Sequence, residues 1–94
     1  MPILRIEHPV ADFNAWKRAF DSDPVGREKS GVRRYQILRS LDDPNYVTID
    51  LEFDTSHEAE ALLAAMRVVW GRVGGQLMWD QQARIVEAVE TKEY

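Results

Sequence analysis

Imidazole chemistry in this chain rests on two residues, His8 and His57, and thiol chemistry is absent because there is no cysteine. Without thiols there can be no disulfide, thiolate metal site or cysteine nucleophile. The two histidines lie far apart, with no HxH or HxxxH spacing, so no metal and no resident cofactor are expected. Nor can two isolated histidines be ordered into a Ser-His-Asp arrangement. Gly71, Gly74 and Gly75 follow an apolar-periodic run, whereas a phosphate cradle precedes its helix. Three polar side chains remain in positions where chemistry is possible. His8 closes a run in which Leu4 and Ile6 share its face, and an imidazole there can accept a proton near neutral pH. Tyr35 lies mid-strand, with a hydroxyl that needs a partner if buried, and Arg33 offers a guanidinium to an anionic or phenolic group. His8, Tyr35 and Arg33 are therefore the catalytic candidates. Each has a structural alternative: a satisfied histidine at a sheet rim, a core tyrosine, and an arginine snorkelling past Phe53 to solvent. His57, beside a helix start, reads as exposed and idle.

Aromatic and sulfur-bearing side chains supply the second group of candidates. Trp16 and Phe20 fall one helical turn apart, Met66 and Trp70 likewise, and Trp79 follows in a loop. Such stripes ordinarily fill a core. Three tryptophans in so short a chain are also enough to wall an aromatic-lined cavity. Trp16, Tyr35, Met66, Trp70 and Trp79 are the candidate ligand-binding residues.

The elements that must position these side chains follow from periodicity. Ile3 to His8 alternates with period two and reads as a half-buried strand ended by Pro9. Asp12 is suited to cap a helix carrying Phe13, Trp16, Lys17 and Phe20, which stops at or before Asp23 because Pro24 follows. A further turn over Arg27 to Ser30 is closed by Gly31 in a left-handed conformation. Val32–Ser40 and Tyr46–Phe53 read as a hairpin around Leu41-Asp42-Asp43-Pro44-Asn45. Pairing Arg34 with Glu52, Tyr35 with Leu51 and Ile37 with Ile49 keeps both faces consistent, and a one-residue slip would scramble them. Thr55-Ser56-His57-Glu58 forms a capping box ahead of a second helix whose apolar face is Ala59, Leu62, Leu63, Met66, Val69 and Trp70. Ala83 to Val89 reads as the last strand. The order β-α-β-β-α-β predicts an α+β, ferredoxin-like domain over residues 1–94. Its four-stranded antiparallel sheet has the order 4-1-3-2, with two helices on one face.

Composition narrows the function classes. The 94 residues are 45% hydrophobic and 30% charged, ordinary for a globular chain. The net charge of −4 argues against nucleic acid. No stretch is apolar for long enough to span a bilayer. With no basic, apolar leader at the start and no cysteine, a cytoplasmic location is expected. The basic group Arg27, Lys29, Arg33, Arg34 and Arg39 is accounted for first by salt pairing within the sheet. An RNA-binding sheet would expose aromatics on its open face, where charged residues are expected here.

The runs Val10-Ala11-Asp12, Trp16-Lys17, Phe20-Asp21, Gly31-Val32-Arg33, Asp42-Asp43-Pro44-Asn45 and Leu51-Glu52-Phe53-Asp54 resemble small bacterial proteins of the dimeric α/β-barrel superfamily. These are relatives of the antibiotic biosynthesis monooxygenase domain, some of them labelled cyclases. The resemblance implies a homodimer closed sheet against sheet, with a ligand cavity between the sheet and helices of each protomer. It also implies a cofactor-free monooxygenase or cyclase acting on an aromatic or polyphenolic compound. The iron-binding histidine of the haem-degrading members lies well inside the second helix. Here that helix has His57 only in its first turn, so haem is not implied. The alternative is a non-catalytic ligand-sensing or structural dimerisation module whose filled core leaves no open cavity.

Overall fold

The computed structural model describes residues 1–73 and 75–94. Gly74, one of the three glycines that follow the second apolar-periodic run, lies outside the described residues. The elements are β1 (Pro2–Pro9), α1 (Phe13–Asp21), β2 (Arg34–Arg39), β3 (Tyr46–Glu52), α2 (Ser56–Val73) and β4 (Gln82–Glu87). They form one antiparallel sheet in the order β2-β3-β1-β4, the order expected from the sequence. The fold is α+β and ferredoxin-like. No helix among the described residues is long and apolar enough to cross a membrane.

The hairpin register agrees with the sequence reading: Arg34 opposes Glu52, Tyr35 opposes Leu51 and Ile37 opposes Ile49. The side chains then sort by alternation. Leu4, Ile6, Val47, Ile49 and Leu51 are buried on the helix side. The other face carries ion pairs: Arg34 meets Glu52 at 3.1 Å, and Arg5 grips both oxygens of Asp50 at 2.8 and 2.9 Å. The Arg5 pair comes from direct opposition of β1 and β3, a contact between strands distant in sequence.

Local chemistry sets the helix ends. The Asp12 carboxylate accepts the Ala15 N–H at 2.9 Å, and Asn45 Oδ1 accepts that of Phe13 at 3.2 Å. At α2, Thr55 Oγ1 accepts the Glu58 N–H and donates to the Glu58 carboxylate. The carboxylate thus answers the hydroxyl instead of the backbone N–H of an ordinary capping box. Helix α2 continues through Gly71 to Val73, so Gly71 lies inside the helix. Gly31 has φ +102°, and a Cβ there would strike the Glu58 carboxylate. The segment from Ser22 to Arg33 therefore approaches the start of α2 at a position that requires glycine.

Candidate functional site

A partly open cavity of about 270 Å³ lies between the two helices and the sheet. Ile6, His8 and Ile49 line it from the sheet, Trp16 and Phe20 from α1, and Met66 and Trp70 from α2. The α1–β2 segment reaches it through Pro24, Val25 and Arg27, and Leu77 and Met78 reach it from the other side. Met78 is held there because its segment bridges to Val10, while Ala11 N–H donates to the Leu77 carbonyl at 2.9 Å. The apolar stripe of α2 is well buried at Ala59 and Leu62 but only half-buried at Met66, Val69 and Trp70. The second half of the helix overhangs space, while the first half rests on core.

His8 is the polar residue of the cavity floor. Alternation along β1 turns it to the helix side with Leu4 and Ile6, and it is 2% exposed. Its ring stands edge-on to Trp16, centroids 5.9 Å apart. Nδ1 lies 3.0 Å from the Pro9 carbonyl oxygen. A carbonyl only accepts, so this contact is a hydrogen bond when Nδ1 carries the hydrogen. Burial lowers the pKa of the ring, and the bond to Pro9 offsets part of that shift. A neutral ring protonated on Nδ1 leaves the Nε2 lone pair unprotonated, and Nε2 has no hydrogen-bond partner among the described residues. That state is competent to accept a proton.

Of the residues singled out in the sequence, His8, Trp16, Met66 and Trp70 line this cavity, whereas Tyr35, Arg33 and Trp79 do not. Trp16 is buried and packs against His8, Phe13 and Phe20. Tyr35 is 43% exposed because β2 is an edge strand, and its ring meets that of Phe20 edge-on at 5.2 Å. Arg33 turns outward to Asp54 at 2.8 Å, which raises the guanidinium pKa. Trp79 is exposed on its loop.

Arg27 is a lining residue that its sequence context assigned to salt pairing. Its guanidinium carbon lies 3.8 Å over the Phe20 ring, and Nη1 donates to the Phe20 carbonyl at 2.8 Å. Its link to Asp23 is longer, at 3.5 Å. The sequence signal was an arginine just after Asp23-Pro24-Val25-Gly26, a turn that carries the chain back toward Phe20.

No family model matches the chain, and no curated protein does either. Solved structures do. An MhuD variant with two manganese protoporphyrin IX molecules bound per active site superimposes with a TM-score of 0.73 at 13% identity, over 100% of both chains. SnoaB from Streptomyces nogalater, a cofactor-independent oxygenase, gives 0.75 at 14% identity over 96% of this chain and 94% of its own. A protein named as a candidate antibiotic biosynthesis monooxygenase from Deinococcus radiodurans gives 0.70 at 15% identity, over 100% and 98%. The chain shares their fold. The face that α2 turns toward the cavity carries Met66, Val69 and Trp70, and the imidazole of the site comes from His8 on β1.

Proposed function

We propose that this chain works as a cytosolic homodimer and binds a small, planar, hydroxylated aromatic compound in the cavity of each protomer. The observation that carries the reading is the free Nε2 of a buried, neutral His8 in a largely apolar cavity walled by Trp16 and Trp70. An indole wall suits a flat aromatic ligand, and the cavity volume suits two or three fused rings. The open cavity supports ligand binding over a filled structural core.

The chemistry that fits is cofactor-free oxygenation, and the SnoaB fold likeness supports it. His8 Nε2 takes the hydroxyl proton of the substrate. The resulting anion, delocalised over the rings, gives an electron to dioxygen, and the two radicals join through a new C–O bond. Cleavage of the O–O bond then releases water, so a ring CH2 and O2 become a carbonyl and H2O. The protein contributes proton acceptance, orientation and exclusion of water, while the substrate supplies the electrons. Trp16, Met66 and Trp70 hold the ring plane; Tyr35, Arg33 and Trp79 have no contact with it in this arrangement. The paired charges on the open sheet face, Arg5 with Asp50 and Arg34 with Glu52, suit contact with a second copy.

Titrating hydroxylated naphthalenes and anthrones should quench tryptophan emission, and oxygen uptake with an anthrone should fall by about 10²–10⁴-fold in His8→Ala. Light scattering should give twice the chain mass. Absence of quenching by every compound would remove the ligand reading. Full oxygen uptake by His8→Ala would remove only the base.

A further inference from the structure

Among the described residues that line the cavity, Arg27 is the one side chain that carries a permanent charge. The chain as a whole has a net charge of −4, so the sign at this site departs from that of the protein around it. We propose that Arg27 is a specificity residue, and that the ligand of this cavity is an aromatic anion bearing a carboxylate at the end remote from the hydroxyl that faces His8. This deepens the reading above and rests on it.

Two features of the geometry support the assignment. The first is unspent hydrogen-bonding capacity. A guanidinium carries five N–H donors, of which one bonds the Phe20 carbonyl while Asp23 stands off at 3.5 Å. The Asp23 oxygen that faces Arg27 already accepts Arg27's own backbone N–H at 2.9 Å. Arg27's side chain is only 14% exposed, yet no fully enclosed nitrogen of it lacks a partner. The remaining donors therefore reach open space. Arg27 lines both the cavity and the neighbouring groove beside Tyr35, whose ring centroid lies 5.2 Å from the guanidinium carbon. The second feature is position. Trp16 and Phe20 lie ring to ring, centroids 5.3 Å apart, along one wall. His8 meets the Trp16 end of that wall and Arg27 covers the Phe20 end. A planar ligand seated against Trp16 thus has a neutral base at one end and, at the Phe20 end that Arg27 covers, a fixed cation. An anion at the Arg27 edge makes charge-assisted hydrogen bonds in partly desolvated surroundings.

The test uses two probes of nearly equal size: a hydroxynaphthoate whose hydroxyl and carboxylate lie at opposite ends of the ring system, and its methyl ester. Binding of each is followed by calorimetry and tryptophan quenching. Wild-type protein should prefer the acid by roughly ten- to hundred-fold, the scale of a charge-assisted hydrogen bond. Arg27→Met should bring acid and ester to equal affinity, and Arg27→Lys should retain a smaller preference because it keeps the charge without the fork. The wild-type comparison stands even if Arg27→Met, having lost its contact with Phe20, fails to fold. Equal affinities in the wild type, or an acid preference that persists in folded Arg27→Met, would overturn the assignment and leave the cavity reading intact. Failure of both probes to bind would overturn the cavity reading and this assignment with it.

Discussion

Acidification should destabilise this protein from about pH 6.5 downward, with His8 as the first cause. Burial holds the folded His8 ring below its ordinary value, while an unfolded histidine titrates near 6.5. Above that pH neither state holds the proton, and stability is unaffected. Below it the unfolded chain takes up a proton that the folded chain resists, so stability falls as pH falls toward the folded value. One proton limits the slope to about 1.4 kcal/mol per pH unit. The Nδ1 bond to Pro9 and the open side of the cavity reduce it. The loss between about pH 6.5 and 5.5 is therefore at most about 1 kcal/mol, which is at most about 8 °C in melting temperature for a domain of this size. Urea unfolding of wild type and His8→Gln at about pH 8, 6.5 and 5.5 checks it, because carboxylate titration is common to both proteins and cancels in the difference. The same pH slope in His8→Gln would refute the reasoning. So would an NMR titration that places the His8 midpoint at or above about 6.5.

Two further substitutions probe the frame around the site. Gly31→Ala forces a Cβ onto a backbone at φ +102° and into the Glu58 carboxylate. It should lower stability by about 1–3 kcal/mol, read by thermal melting. A double-mutant cycle with Arg5→Met and Asp50→Asn should give a coupling of about 0.2–1 kcal/mol, because Arg5 remains 41% exposed despite its two-pronged contact. A coupling well above that range would mean that the sheet face is covered in solution.

Much of the architecture follows from short-range pattern. Period two along Ile3–His8 and Tyr46–Phe53, the Asp12 and Thr55 caps, and the left-handed Gly31 are each decided within a few residues. That is why the β-α-β-β-α-β order and the hairpin register could be read directly. The side of the sheet that His8 and Tyr35 occupy was legible for the same reason. How deeply each is covered was not. His8 lies on central β1 beneath Trp16, whereas Tyr35 lies on edge strand β2, so the same helix-side face gives 2% exposure at one and 43% at the other. Whether Arg33 meets a ligand or turns past Phe53 to solvent is decided by the chain after β3, which brings Asp54 beside it. Arg27 reads as surface charge until the turn after Pro24 brings it over Phe20. Periodicity assigns a face, but only the packing of distant elements decides whether that face meets core, a cavity or water. The stripe of α2 is uniform in sequence, yet it rests on core at Leu62 and overhangs a cavity at Trp70.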